Sequence, residues 1–222
     1  MIWLDNPIYN LSAGALLVLA ALGLYRVTMI LKHKTFLDRK DLCVLKIDPK
    51  GIGINIDVFI RAIKPPFVLE VAIQHLGKER AYYLIMPRRK ARGILPTKGL
   101  SEIRDYHLFH SGGEHLGAYF KDGKAWPQVS LEKINFSKVN EVGEGAVAQF
   151  VFGRKKGGKT AANLRIVASA PSVFQAREIM NSLKGSFGEY NSVDSSGEEF
   201  VHMVNAREFD SGEEMLWGTA TS

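Results

Sequence analysis

The chain of 222 residues carries 29 Lys and Arg against 23 Asp and Glu, a net charge of +6, and 46% of its residues are hydrophobic. This composition is ordinary for a globular protein and excludes a disordered polar tail. Its one cysteine, Cys43, excludes a disulfide framework within the chain and, lying in an apolar stretch, predicts a small buried core residue.

The most hydrophobic segment lies near the N-terminus. Residues 8–31 read IYNLSAGALLVLAALGLYRVTMIL, and residues 11–25 carry no charge. A helix needs roughly 20 apolar residues to cross a bilayer. Basic residues follow the segment and do not precede it, which favours a retained anchor over a cleaved signal peptide.

Residues 1–40 are therefore predicted to be a membrane anchor and connector, with one transmembrane helix over about 8–31. The basic flank places the N-terminus outside and the folded region in the cytoplasm, with the lipid bilayer as a partner. Four small residues of the span are compatible with close helix approach and a homo-oligomer: Ala13, Gly14, Ala20 and Ala21.

Residues 41–108 are predicted to form a ferredoxin-like unit. The expected elements are a strand over 41–48, a helix over 54–63, strands over 67–76 and 80–86, a helical segment within 88–98 and a strand over 102–108. Strand, helix, strand, strand, helix, strand is the order of the split βαβ plait.

Residues 109–206 are predicted to form a second small plait-like unit, followed by a polar tail over 207–222. The expected elements are a strand over 116–121, a helix over 131–142, strands over 146–152 and 163–168, a helix over 172–183 capped by Ser172, a loop over 191–197 and a strand over 200–204. The predicted fold class is thus α+β, one transmembrane helix followed by two ferredoxin-like units.

Residues 153–160 (GRKKGGKT) match the phosphate-binding pattern G-x-x-x-x-G-K-[ST], with Gly158, Lys159 and Thr160 as candidate nucleotide-binding residues. That loop must open a helix, yet the residues that follow alternate as a strand does. A hairpin loop is therefore favoured, no cofactor is predicted, and a P-loop NTPase is the alternative.

Three histidines lie close together, His107, His110 and His115, with Glu114 beside the last of them. They are candidate metal ligands, but no cysteine accompanies them, and a metal site needs convergent geometry. An ordinary polar loop between the two units is the favoured interpretation, and no metal is predicted.

The densest charge run, Arg88, Arg89, Lys90 and Arg92, is a candidate nucleic-acid-binding site. The preceding Tyr82 and Tyr83 are adjacent on a strand, so only one of them can join a stacking platform. A solvated or lipid-facing basic edge is the favoured alternative. Because no catalytic triad, Cys/His pair or carboxylate pair stands out, the chain is not predicted to be an enzyme.

Five stretches carry a family resemblance: DLCVLKIDPK, LEVAIQHLGKERAYYLIMPRR, DYHLFHSGGEHLGAYFK, NEVGEGAVAQFVFGRKK and LRIVASAPSVFQAREIMNSLKGSFGEYN. Together they cover most of residues 41–191, and they resemble the membrane-anchored N-terminal regions of bacterial proteins associated with type IV secretion and conjugative transfer. In longer relatives an ATPase module is expected to follow, whereas this chain stops at Ser222.

The resemblance implies a non-catalytic, membrane-tethered scaffold or docking component of such an apparatus, located at the bacterial inner membrane. Its expected partners are proteins of the secretion or transfer complex, including a separate ATPase. A membrane-tethered nucleic-acid-binding module and a P-loop NTPase are the alternatives.

Overall fold

The computed structural model describes residues 41–53, 55–74, 79–106, 113–121, 130–156, 159–188 and 190–217, together with Val18, Ala20, Leu22 and Gly23. The strands are β1 (Leu42–Ile47), β2 (Phe67–Ile73), β3 (Arg80–Pro87), β4 (Leu100–Ile103), β5 (Glu114–Lys121), β6 (Gly145–Lys156), β7 (Lys159–Ala170), β8 (Asn191–Asp194) and β9 (Met215–Trp217). The helices are α1 (Pro49–Ile52), α2 (Ile56–Ala62), α3 (Arg88–Ile94), α4 (Val173–Gly185) and α5 (Glu198–Ala206), and 3-10 helices lie at Leu131–Lys133 and Ser211–Glu213.

All these strands join one antiparallel sheet in the order β4-β1-β3-β2-β6-β7-β5-β8, with β9 paired to β7. Read from its outer edge inward, the second half (β8-β5-β7-β6) repeats the plan of the first (β4-β1-β3-β2). The first half also has the element order of the split βαβ motif. In the second half, the described residues between β5 and β6 include the 3-10 turn Leu131–Lys133 at the place of the first helix of that motif.

The two halves meet where β2 pairs with β6, from Phe67 opposite Phe152 to Ile73 opposite Ala146. Every residue of β2 is buried, as expected for a strand covered on both faces. The rings of Phe67 and Phe152 lie 4.5 Å apart across this pair. The sheet is therefore continuous through the joint, and residues Leu37–Ser222 form one compact unit.

Helices α2, α3 and α4 cover one face of the sheet, which holds the main hydrophobic core. Alternate strand residues point into it, including Cys43, which is buried as predicted. Helix α4 begins at Ser172, whose hydroxyl accepts a hydrogen bond from the backbone N–H of Gln175, as the sequence predicts. The opposite face is covered by α5 and the segment that follows it, since the carbonyl oxygen of Val204 bonds to Gln149 on β6.

The prediction of a membrane-spanning helix is contradicted. Among the described residues, no helix combines the length and the apolar character needed to cross a membrane. Within residues 8–31 the structure describes only the four helical residues named above, and the rest of the predicted span lies outside the described residues. This finding corrects the predicted fold class, which included a transmembrane helix. It also corrects the single-pass description and the inner-membrane location with an outside N-terminus.

Several element predictions in the second half were also wrong. The expected helix over 131–142 is a single 3-10 turn, and the expected loop over 191–197 contains strand β8. The expected strand over 200–204 is part of helix α5. Phe200 and Val204 are four residues apart, so both lie on the buried face of this helix. The expected polar tail contains the 3-10 turn Ser211–Glu213 and strand β9, which pairs with the start of β7.

The predicted boundary between the two α+β units, at residues 108 and 109, falls between β4 and β5.

Candidate functional site

A row of polar residues crosses the centre of the sheet on the face that carries α5. The strand registers place Tyr83 opposite Glu70, Glu70 opposite Gln149, and Gln149 opposite Arg165, on β3, β2, β6 and β7. Glu70, Gln149 and Arg165 each have 0% exposed surface. Buried charges are rare unless they are paired, so this row is the first candidate for a functional site.

Both carboxylate oxygens of Glu70 are engaged. Oε1 accepts hydrogen bonds of 2.9 Å from Arg207 Nε and of 2.9 Å from Gln149 Nε2. Oε2 accepts a hydrogen bond from the hydroxyl of Tyr106. Arg207 Nη1 also donates to Asp105 Oδ1 at 2.8 Å, so one buried guanidinium bridges two carboxylates.

Arg207 lies at the C-terminal cap of α5 with φ 57°, in the left-handed region that few non-glycine residues occupy. Its guanidinium carbon lies 5.5 Å from the centre of the Tyr106 ring. Burial disfavours its charged form, but Glu70 and Asp105 outweigh that effect and hold the pKa of Arg207 above its ordinary value.

A second pair anchors the segment after α5. Arg165 Nε donates to Glu213 Oε2 at 2.6 Å, and Arg165 Nη1 donates to the carbonyl oxygen of Glu208 at 2.7 Å. The side-chain amide of Asn163 makes two hydrogen bonds with the backbone of Asp210, of 2.7 and 2.8 Å. Burial raises the pKa of Glu213 although Arg165 opposes the shift.

The geometry identifies this cluster as a structural lock. Burial first, and then the negative charge of Glu70, raise the pKa of Tyr106 well above its ordinary value, so its phenol remains a hydrogen-bond donor. Glu70 has no exposed surface that a ligand could contact. The contacts of Glu70 and Arg165 instead fasten α5 and residues 207–213 to the sheet. Sequence reasoning missed the lock, although its signal is a charge within each apolar strand, FVLEVAI and NLRIVA.

The four predicted cations lie on α3 and divide into two groups. Arg88 pairs with Glu102 at 2.7 Å, and Lys90 donates to the carbonyl oxygens of Lys64 and Pro65 at 3.3 and 2.7 Å. Desolvation lowers the pKa of Lys90.

The other two cations, Arg89 and Arg92, are exposed to solvent. Tyr82 and Tyr83 are 6% and 4% exposed, so neither forms a stacking platform.

Two of the P-loop candidates, Lys159 and Thr160, lie at the start of strand β7. Residues 159–170 form strand β7, whereas a phosphate-binding loop must open a helix. Lys159 begins this strand, Thr160 is buried opposite Lys155, and Gly158 lies outside the described residues. The structure therefore does not bring these residues into the geometry of a nucleotide site.

Of the predicted metal ligands, His115 lies on β5 opposite Ser169, while His107 and His110 lie outside the described residues. His115 borders an open cleft of about 730 Å³ that is also lined by His202 on α5. Across the part of the chain that the structure describes, no three His, Cys, Asp or Glu side chains are grouped to hold a metal ion.

An exposed hydrophobic surface lies at the start of α4. Phe174 is 73% exposed, Val142 is 83% exposed and Val173 is 42% exposed. Gln175 Nε2 donates to Glu141 Oε2 at 2.9 Å, which holds the loop that carries Val142 beside the first turn of α4. These three side chains are called here the α4 apolar surface.

Comparison of the chain with protein-family models and with curated protein sequences finds no match. The functional assignment therefore depends on the surfaces and contacts described above and on the resemblance noted in the sequence.

Proposed function

We propose that the protein is a non-catalytic docking component that binds another protein of a type IV secretion or conjugative-transfer apparatus. The observation that carries the proposal is the exposure of Phe174 and Val142, which lie on the two segments joined by the hydrogen bond from Gln175 to Glu141. Isolated apolar side chains are common on protein surfaces, but clustered ones mark interaction sites, and aromatic side chains supply much of the binding energy at protein interfaces.

Charged groups of both signs surround the apolar centre. Lys138 pairs with Glu178 at 3.7 Å, Glu141 accepts the hydrogen bond from Gln175, and Arg177 is exposed on the same helix. An apolar centre with a polar rim of mixed charge is the anatomy of a protein–protein interface. A polyanion would instead be matched by a surface of one sign.

The helix beneath this surface is fixed in place. Its buried side contributes Ala176, Ile179 and Leu183 to the core, and its N-terminus is capped by Ser172. A preformed surface loses less conformational entropy on binding than a flexible one. The lock on the other face of the sheet, from Glu70 to Arg207, adds to the rigidity of the scaffold.

The proposal is tested by calorimetric titration of the purified chain with the ATPase of the same transfer apparatus. Replacing Phe174 with Ala is expected to weaken binding roughly 30-fold or more, because an aromatic anchor contributes about 2 kcal/mol or more at an interface. The matched control is Val58→Ala on α2, which also truncates an exposed apolar side chain but lies outside the α4 apolar surface.

Equal losses in the two variants, or no binding by the unmodified chain, would contradict the docking surface. The rival enzyme function has its own assay, the release of phosphate from ATP. ATP hydrolysis that Lys159→Ala abolishes would overturn the proposal that the protein is non-catalytic.

A further inference from the structure

Positive charge is concentrated in the first half of the sheet. Residues 41–108 contain 12 Lys and Arg against 7 Asp and Glu, whereas residues 109–222 contain 12 against 14. A summed charge of this kind produces a local potential that attracts polyanions. The first half therefore favours polyanionic ligands, whereas the α4 apolar surface does not.

Five exposed cations of this half lie on helices α2 and α3 or on the segments that follow them. The set, called here the α3 basic surface, comprises Arg61, Lys64, Arg89, Arg92 and Lys98, all of them exposed. The Lys90 ammonium ties α3 to the segment after α2 by donating to the carbonyl oxygens of Lys64 and Pro65. Cations of both elements are thereby held on one side of the molecule.

Arg89 and Arg92 are the centre of the α3 basic surface. A spacing of three residues places them on one face of the helix, about 5–6 Å apart at their Cβ atoms. Two guanidinium groups so placed repel one another unless an anion lies between them, and each can bind a phosphate through two parallel hydrogen bonds.

The apolar residues of α3 face inward. Ala91 is fully buried, and Ile94 packs against the main core. A helix that binds a lipid surface needs an apolar face directed at the acyl chains, and α3 presents none. Its outward face fits a phosphate backbone better than a bilayer.

We infer that the α3 basic surface binds the phosphate backbone of nucleic acid, without reading its base sequence. Because Tyr82 and Tyr83 are buried, the surface lacks the aromatic platform on which single-stranded bases would stack. Affinity then comes from phosphate contacts and counterion release, and it falls steeply as salt is added. This inference is independent of the protein partner proposed above.

The test is fluorescence anisotropy of a short labelled DNA duplex titrated with the purified full chain across a series of salt concentrations. The double variant Arg89→Gln/Arg92→Gln is expected to weaken binding at least 10-fold. It should also reduce the slope of log K against log salt by about 2, because each arginine neutralises about one phosphate. Lys121→Gln/Lys133→Gln, two cations of the second half that belong to neither surface, removes the same charge and should change affinity less than twofold.

The inference fails if the unmodified chain does not bind the duplex at low salt, or if both double variants weaken binding equally. Phosphatidylserine vesicles supply the same phosphate chemistry from a lipid. Binding to vesicles, but not to DNA, that depends on Arg89 and Arg92 would also overturn it. Circular dichroism of both double variants establishes that weaker binding is not a consequence of unfolding.

Discussion

Glu70, Gln149 and Arg165 are polar residues in the middle of strands that are otherwise apolar. Breaking a buried ion pair by removing one partner costs about 3–5 kcal/mol, since it leaves an unpaired charge without solvent. Glu70 and Arg207 are 137 residues apart in the sequence, so no local pattern predicts that they meet. The sequence does show that Glu70 is a charged residue within the apolar run FVLEVAI. A carboxylate buried there needs a cationic partner from another part of the chain.

Tyr106 gives the lock a dependence on pH. Its phenol has a raised pKa in the folded chain, so the unfolded chain releases that proton at lower pH than the folded chain does. Its contribution to stability is complete below the ordinary tyrosine pKa of about 10 and is lost as the pH rises above it.

Tyr106→Phe removes this contribution. The free energy of unfolding of the variant should fall less steeply between about pH 10 and pH 11.5, by up to about 1.4 kcal/mol per pH unit. Denaturant titrations at several alkaline pH values measure the slope. Identical slopes in the two proteins would contradict the raised pKa, whereas a constant offset would report only the removal of the hydrogen bond to Glu70.

Helix α5 shows why local patterns misassign some elements. The run FVHMV reads as a short strand, and only its contacts reveal a helix with Phe200 and Val204 on one buried face. Strand β8 shows the opposite failure, because all four of its residues are exposed and it lacks the alternation that marks a half-buried strand. Strands β1, β2 and β3 and helix α4 were predictable because each carries an apolar pattern of the correct period.

Gly117 fixes how closely α5 approaches the sheet. A Cβ atom added there would lie 2.1 Å from Phe200 Cε1 and 2.7 Å from the carbonyl oxygen of Ser195. Gly117→Ala should therefore destabilise the protein by about 1–3 kcal/mol, the usual cost of overpacking.

The control for Gly117→Ala is Gly185→Ala at the end of α4, where an added Cβ meets nothing within 4 Å. That substitution should be neutral or stabilise by up to about 1 kcal/mol, because alanine favours a helix. Urea denaturation of both variants tests the pair. Unchanged stability of Gly117→Ala would show that α5 does not pack against β5 as described, and partial rescue by an added Phe200→Leu would support the contact.

The whole molecule is a single sheet in which two halves of the same strand order are joined through β2 and β6. The order of elements in the first half could be predicted from the sequence. The pairing of β2 with β6 could not, because the pattern of each indicates a central strand but does not indicate which strand pairs with it. Each half presents its own surface, the α4 apolar surface in the second and the α3 basic surface in the first. This arrangement suits a component that holds a protein partner and nucleic acid at separate positions.

Hydrogen–deuterium exchange of the chain, alone and with the ATPase of the transfer apparatus, tests the proposed docking function most directly. We expect slower exchange of peptides covering residues 140–144 and the first turn of α4, and we expect Phe174→Ala to abolish that protection. Exchange unchanged by the ATPase at the α4 apolar surface, or protection confined to other parts of the described chain, would contradict it.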